Sequence, residues 1–239
     1  MNTDKLSTNP MSENIILILD FDSTIVQVET LDELAKISLQ KYSPQQKEAT
    51  FNQVIALTNS AMNGTISIEE SLDKRVALLN AYKPDVDLVT KSLLNAVSDS
   101  FKSNKDFFKK NRNDIFIVSA GFTECIKPVA NILGLKEEHI FANEFIYDPE
   151  SLKVTGINKS LPLAQTKGKV KAVKSLNRNN TIIHALGDGF TDYEIKSEGA
   201  ANLFFAFTET VKREKVIKKA DYVVGNFEEY LQIRKTYLP

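Results

Sequence analysis

Two acids, Asp20 and Asp22, stand directly after the branched apolar run Ile15 to Leu19 in the stretch IILILDFDST. In an extended segment, residues two apart face the same side, so both carboxylates can address one crevice at the end of a strand. Neighbouring carboxylates repel unless a cation or a shared proton relieves them. A second acidic cluster, GDGFTDYE, follows another apolar run that ends at Leu186. There Gly187 and Gly189 permit a tight turn, and Asp188 and Asp192 stand four residues apart. Brought to one sheet edge, Asp20, Asp22, Asp188 and Asp192 would surround a hard cation. Mg2+ suits such a set, because it takes carboxylate oxygens together with water and substrate phosphate.

Two smaller motifs add polar groups of other kinds. VSAGF offers Ser119, with Gly121 allowing the backbone close to a ligand, and QTKGK offers Lys167 near a helix start. Singly, each feature has a plain structural reading: a turn-forming acid, a helix cap, a solvated lysine. Together they share the logic of phosphoryl transfer through an aspartyl phosphate. One carboxylate attacks phosphorus while a metal and a lysine hold the charge on the phosphoryl oxygens. The other acid protonates the leaving alkoxide and then deprotonates water, which requires Asp22 to hold a proton near neutral pH.

The elements that must position these residues follow from hydrophobic patterning. Short apolar runs at Ile15 to Leu19, Ile115 to Val118, Thr181 to Leu186, Leu203 to Phe207 and Tyr222 to Val224 read as buried parallel strands. Helical patterns in TECIKPVANILGL, GKVKAVKSLN and VKREKVIKKA separate them, so the chain reads as an α/β protein with a doubly wound parallel sheet. FANEFIYDPESLKVTGI reads as an antiparallel hairpin turning at Asp148 to Ser151. Residues 30–105 show helical patterns and no convincing strand. Capping boxes are expected at Ser43 and Ser67, and Val86, Val89, Leu93, Val97 and Phe101 mark one helix. This organisation predicts a catalytic core of residues 14–29 and 106–239, an inserted helical-bundle cap of residues 30–105, and a flexible N-terminal tail of residues 1–13. A cap inserted after the first strand covers the sheet edge where open α/β folds bind ligands.

DFDST, VSAGF, KG and GDGFTD, in that order and near that spacing, resemble the motifs of the haloacid dehalogenase-like hydrolases, and within them the phosphoserine phosphatases. The resemblance runs from Ile15 nearly to the end of the chain. It implies a Rossmann-like core, Mg2+ as cofactor, and hydrolysis of L-phosphoserine to L-serine and phosphate in serine biosynthesis. It implies Asp20 as nucleophile and Asp22 as general acid/base whose backbone carbonyl also meets the metal. Ser119 and Lys167 would bind phosphate, Asp188 would ligate the metal, and Asp192 would be linked to it. In the cap, ETLDELA and AMNGTISIEESLDKRVALL resemble the family's substrate-reading segments. They imply Glu29 facing the substrate ammonium, Arg75 facing its carboxylate, and Met62 and Ile68 as apolar walls. Two substrate-binding positions depart from the family pattern: Ala120 stands where a second Gly is common, and Thr191 where Asn is common. Another small phosphomonoester as substrate, or phosphoryl transfer to an alcohol, keeps the same chemistry. A phosphoacceptor signalling module shares acids, magnesium, hydroxyl and lysine, but has little use for an acid that releases an alcohol.

Composition narrows the partners. The 30 basic and 31 acidic side chains nearly cancel, with no long charge block, so nucleic acid is not the expected partner. No apolar run reaches the length of a signal peptide core or a membrane span. A cytoplasmic protein acting on a small phosphorylated metabolite, as monomer or homodimer and without a membrane partner, is expected. The single cysteine, Cys125, reads as a small core hydrophobe, and His139 and His184 lack metal-ligand spacing. No phosphate-binding GxxxxGK[ST] loop occurs.

Overall fold

The computed structural model describes residues 15–177 and 181–237. The predicted tail lies outside them. The first strand, β1 (Ile15–Leu19), is buried along its whole length. It is followed by a helical segment of α1 (Thr30–Ser38), α2 (Pro44–Met62), α3 (Ile68–Leu79) and α4 (Lys83–Leu93), then two short helices, α5 (Asp99–Ser103) and α6 (Lys105–Lys110). The chain returns through β2 (Ile115–Phe122), α7 (Thr123–Leu133) and β3 (Ile140–Asn143), followed by β4 (Phe145–Tyr147) and β5 (Val154–Ile157). Then come α8 (Gly168–Ser175), β6 (Ile182–Gly187), α9 (Phe190–Ser197), β7 (Leu203–Phe207), α10 (Glu214–Ile217), β8 (Tyr222–Val224) and α11 (Phe227–Arg234).

Six strands form a parallel sheet in the order β3-β2-β1-β6-β7-β8. The chain winds one way from β1 through β2 to β3, and the other way from β6 to β8. The switch in direction therefore opens a crevice beyond the carboxyl end of β1, where Asp20 begins. Alternation along β1 divides the core between the two faces. Ile16 and Ile18 pack with Val170, Val173 and Ile195, whereas Leu17 and Leu19 join a cluster holding Ile126, Val129 and Phe227. That second cluster continues into the inserted helices through Leu31, Leu34, Leu72 and Val89. Core and cap thus share one continuous apolar interior, and burying it holds the cap against the sheet edge.

Three local expectations change. The segment read wholly as a hairpin begins with an extra strand: β3 pairs parallel with β2 at the sheet edge, and only β4 and β5 form the antiparallel pair. The helix expected to run from Val86 to Phe101 stops at Leu93; Val97 instead bridges Val26, and Phe101 lies on α5. All five apolar positions are buried, so tertiary packing preserved the periodicity after the backbone had left the helix. At Ser43 the reciprocal capping box with Gln46 forms. At Ser67 the side chain accepts from the Glu70 amide without a return bond.

Candidate active site

The ends of β1 and β6 bring the two acidic motifs together. The β1 and β6 strands pair from Ile15↔Ile182 to Leu19↔Leu186, and the Asp20 amide donates to the Leu186 carbonyl at 3.0 Å. Asp20, Asp188 and Asp192 are all buried, and each offers a carboxylate oxygen within 4.8 Å of the others. Gly187 makes this approach possible, because a Cβ there would lie 2.3 Å from the Asp192 carboxyl carbon. Burial raises the pKa of Asp192 well above the usual carboxylate range, with the Asp20 charge adding to it. Burial and the Asp20 charge raise Asp188 as well, against the lowering effect of Arg213.

The lysine among these acids is Lys169, two residues from the one the motif suggested. Its Nζ lies 2.8 Å from Asp20 Oδ1 and 2.7 Å from Asp192 Oδ1, and all three side chains are nearly inaccessible. Burial works against the Lys169 ammonium, yet the two carboxylates together overcome it and raise its pKa. Lys167 points elsewhere: it caps α8 in the left-handed region, with φ 57°, and its exposed side chain pairs with Glu198 at 2.7 Å. The start of α8 is pressed against the 162–164 turn, since a Cβ on Gly168 would meet the Pro162 carbonyl oxygen at 2.2 Å. This contact fixes the helix start, and the rotation of α8 then carries Lys169 inward and leaves Lys167 at the surface.

Asp22 stands apart from the three-acid cluster. Thr30 Oγ1, at the start of α1, donates to Asp22 Oδ1 at 2.5 Å. Burial, aided by the Asp20 charge and opposed by the Thr30 hydrogen bonds, raises Asp22 to about 7. Across the crevice, the β2–β3 register breaks between Val118 and Phe122, over the residues that carry Ser119, Ala120 and Gly121. Asn143 Nδ2 donates to the Ala120 carbonyl at 2.8 Å and steadies this irregular stretch, while Ser119 Oγ accepts from the Gly121 amide at 3.0 Å.

One pocket unites these groups with the cap. It is small, about 360 Å³ of empty space, and is lined by Asp20, Asp22, Ser119, Ala120, Gly121 and Lys169 from the core, and by Glu29, Leu31, Met62 and Arg75. Ile68 and Thr191 line a smaller neighbouring pocket that shares Ala120 and Lys169 with the first. Arg75 is 3% exposed and its Nε is buried without a partner. Burial lowers the Arg75 pKa, while Glu29, Asp32 and Asp22 hold it up. Burial, then the Asp22 and Asp188 charges, raise Glu29 to about 8.

Arg213, which belongs to none of the sequence motifs, ties the two halves of the site. From the loop between β7 and α10, its Nε lies 2.8 Å from Asp188 Oδ2, its Nη2 is 3.4 Å from Glu29 Oε1, and its Nη1 donates to Asn59 Oδ1 at 3.3 Å. No motif flags it, because its basic neighbours in VKREK look like an ordinary solvated face. Cys125 is buried and its thiol pushed up to about 12 chiefly by burial, as expected of a core residue. His184 is likewise buried, on β6, and burial lowers it to about 4.

The cluster suits a hard cation. Among the described residues, Asp188 Oδ1 is met only by Thr24 Oγ1 at 3.5 Å, which leaves it open to a cation. Three buried acids would otherwise face two cationic side chains, Lys169 and Arg213. Asp192 has both oxygens engaged, by Lys169 and by the Gly189 amide, so it holds the lysine more than it offers a free ligand atom.

The sequence pattern of haloacid dehalogenase-like hydrolases matches residues 17–195, and the chain belongs to that family. Among curated proteins it is 31% identical over 217 residues to the chloroplastic phosphoserine phosphatase of Arabidopsis thaliana, covering 89% of this chain and 69% of that one. It is 26% identical to the Drosophila melanogaster phosphoserine phosphatase, covering 95% and 80% of the two. The crystal structure of a phosphoserine phosphohydrolase-like protein from Francisella tularensis superposes with a TM-score of 0.81 at 31% identity, covering 91% of this chain and 98% of that one. The protein is a phosphoserine phosphatase-like hydrolase, of the class that cleaves phosphoric monoesters.

Proposed function

We propose that the protein hydrolyses L-phosphoserine to L-serine and phosphate, as in serine biosynthesis, through a phosphorylated Asp20. The observation that carries this reading is Arg75: a buried guanidinium with an unpartnered Nε, lining the same small pocket as Glu29 and the Asp20 carboxylate. A phosphorylated amino acid offers complementary charge at each point. Its carboxylate satisfies the guanidinium fork, and its ammonium favours the ionised form of Glu29. Leu31 and Met62 close the pocket with apolar surface. Oxygens of Asp20 and Asp188, linked to Asp192 and with the Asp22 backbone carbonyl, would hold Mg2+. Bound there, the ion would neutralise developing charge on the phosphoryl oxygens.

The chain's own groups account for the remaining steps. Asp20 Oδ1 is fixed by the Phe21 amide at 2.7 Å and by Lys169, which leaves Oδ2 to attack phosphorus. Ser119 and Lys169 hold the phosphoryl oxygens. As the Asp20–phosphorus bond forms and the ester bond breaks, Asp22 gives its proton to the leaving serine oxygen. Asp22 then takes a proton from water, whose oxygen bonds to phosphorus as the Asp20 bond breaks. A pKa near 7 suits both halves of this exchange.

The decisive experiment measures phosphate release by the purified protein with Mg2+, comparing L-phosphoserine with phosphohomoserine and sugar phosphates. L-phosphoserine is expected to have the highest kcat/KM. A sugar phosphate preferred over it would overturn the reading.

A further inference from the structure

We infer that Asp32, Thr58 and Arg75 form a hydrogen-bonded relay across three cap helices, in which the Thr58 hydroxyl is the positioning link that keeps the guanidinium available to a substrate carboxylate. The inference rests on the reading of Arg75 given above. Arg75, on α3, donates from Nη1 to Thr58 Oγ1 on α2 at 3.1 Å. Thr58 Oγ1 lies 2.9 Å from Asp32 Oδ1 on α1. The Val54 carbonyl lies 3.1 Å from the same hydroxyl, but a hydroxyl has one hydrogen, and the carboxylate is the stronger acceptor.

The arrangement separates two tasks that a direct ion pair would merge. Glu29, Asp32 and Asp22 all offset the buried Arg75 charge, yet among the described residues no carboxylate lies within 4.0 Å of its nitrogens. Among the same residues, Thr58 supplies the guanidinium's one hydrogen bond, and Nε remains unpartnered. A hydroxyl inserted between acid and guanidinium passes on electrostatic support without occupying the planar fork. Were Thr58 apolar, Arg75 would be free to turn onto Asp32, Glu29 or Asp22, and a substrate carboxylate would have to displace that internal ion pair. Thr58 is 2% exposed and does not line the pocket, so it acts through Arg75.

The test is a pair of substrates sharing the ester and differing in the carboxylate: L-phosphoserine and O-phosphoethanolamine, with p-nitrophenyl phosphate as a second carboxylate-free ester. Thr58→Val is expected to lower kcat/KM on L-phosphoserine about tenfold, mainly through KM, the loss of one hydrogen bond to a charged group. The carboxylate-free esters should change by less than about twofold, and Thr58→Ser should restore the L-phosphoserine value. Thr58→Ala repeats the measurement should the valine methyl disturb folding, which the Tm of each variant reports. Equal losses on all substrates, or an unchanged L-phosphoserine KM, overturns the relay. Arg75→Ala in the same assays separates the two readings. If it discriminates between the substrates and Thr58→Val does not, only the relay fails; if neither discriminates, the assignment of Arg75 fails.

Discussion

The core half of the pocket and its cap half are built on opposite principles. In the core, acids follow strand ends and are pinned by backbone amides: Phe21 on Asp20, Gly189 on Asp192. In the cap, helix faces present one buried guanidinium, supported by a threonine and countered by acids at a distance. The core half therefore concentrates negative charge that a cation and a phosphate can exploit, and its geometry changes little with side-chain rotation. The cap half sets a buried guanidinium and its countering acids apart, an arrangement that the proposed reading matches to a zwitterion. The proposed function assigns reaction type to the first and substrate choice to the second, so substitutions in the two halves should differ in kind as well as in size.

The largest effect is expected at Asp20. Asp20→Asn should lower kcat at least about 10⁴-fold on every ester, with circular dichroism unchanged. Substantial turnover with Mg2+ present would end the aspartyl-phosphate mechanism. Next, Lys169→Ala should cost about 10²-fold or more in kcat on all substrates, whereas Lys167→Ala should stay within about twofold. The reverse order would show that the αL lysine at the helix start, and not its inward neighbour, meets the phosphate. A selective loss marks the cap: Arg75→Ala should lower kcat/KM on L-phosphoserine by about 30-fold or more while sparing an aryl phosphate.

The smallest effect concerns stability. Folding raises Asp22 from 3.8 to about 7 and Glu29 from 4.5 to about 8. Between the ordinary and the raised values the folded chain binds more protons than the unfolded one, so its stability falls as pH rises through that window. In chelator, Tm should drop by at least about 2 °C between pH 4 and pH 8, the shift that about 1 kcal/mol produces in a chain of this size. Asp22→Asn with Glu29→Gln should flatten the slope. Adding Mg2+ should raise Tm at pH 8, because the cation favours the ionised acids around it.

Legibility of the site divides along the same line. The placement of Asp20, Asp22, Ser119 and Asp188 is legible in the sequence because each sits at or within a few residues of a strand end, where backbone direction largely decides where a side chain goes. Which lysine lies among the acids is not legible, because at a helix start one residue turns the side chain by about 100 degrees, and QTKGK offers lysines on both sides of Gly168. Arg213 and Thr58 were invisible for another reason. The side-chain partners of Arg213 lie 25, 154 and 184 residues away and those of Thr58 lie 17 and 26 away, without local periodicity that could flag them. The helix expected through Phe101 failed similarly, since a bridge to Val26 outweighed a continuing 3.6-residue pattern.

By itself, the sequence determined the main parallel strands, the convergence of Asp20 with Asp188 and Asp192, and the helical character of the segment after β1, because hydrophobic period and strand-end position are local properties. Only the tertiary structure decided which lysine enters the acid cluster, that Arg213 joins Asp188 to Glu29, and that Thr58 stands between Asp32 and Arg75. Those choices depend on how buried charges share partners across distant elements, and that balance exists only after the chain has packed.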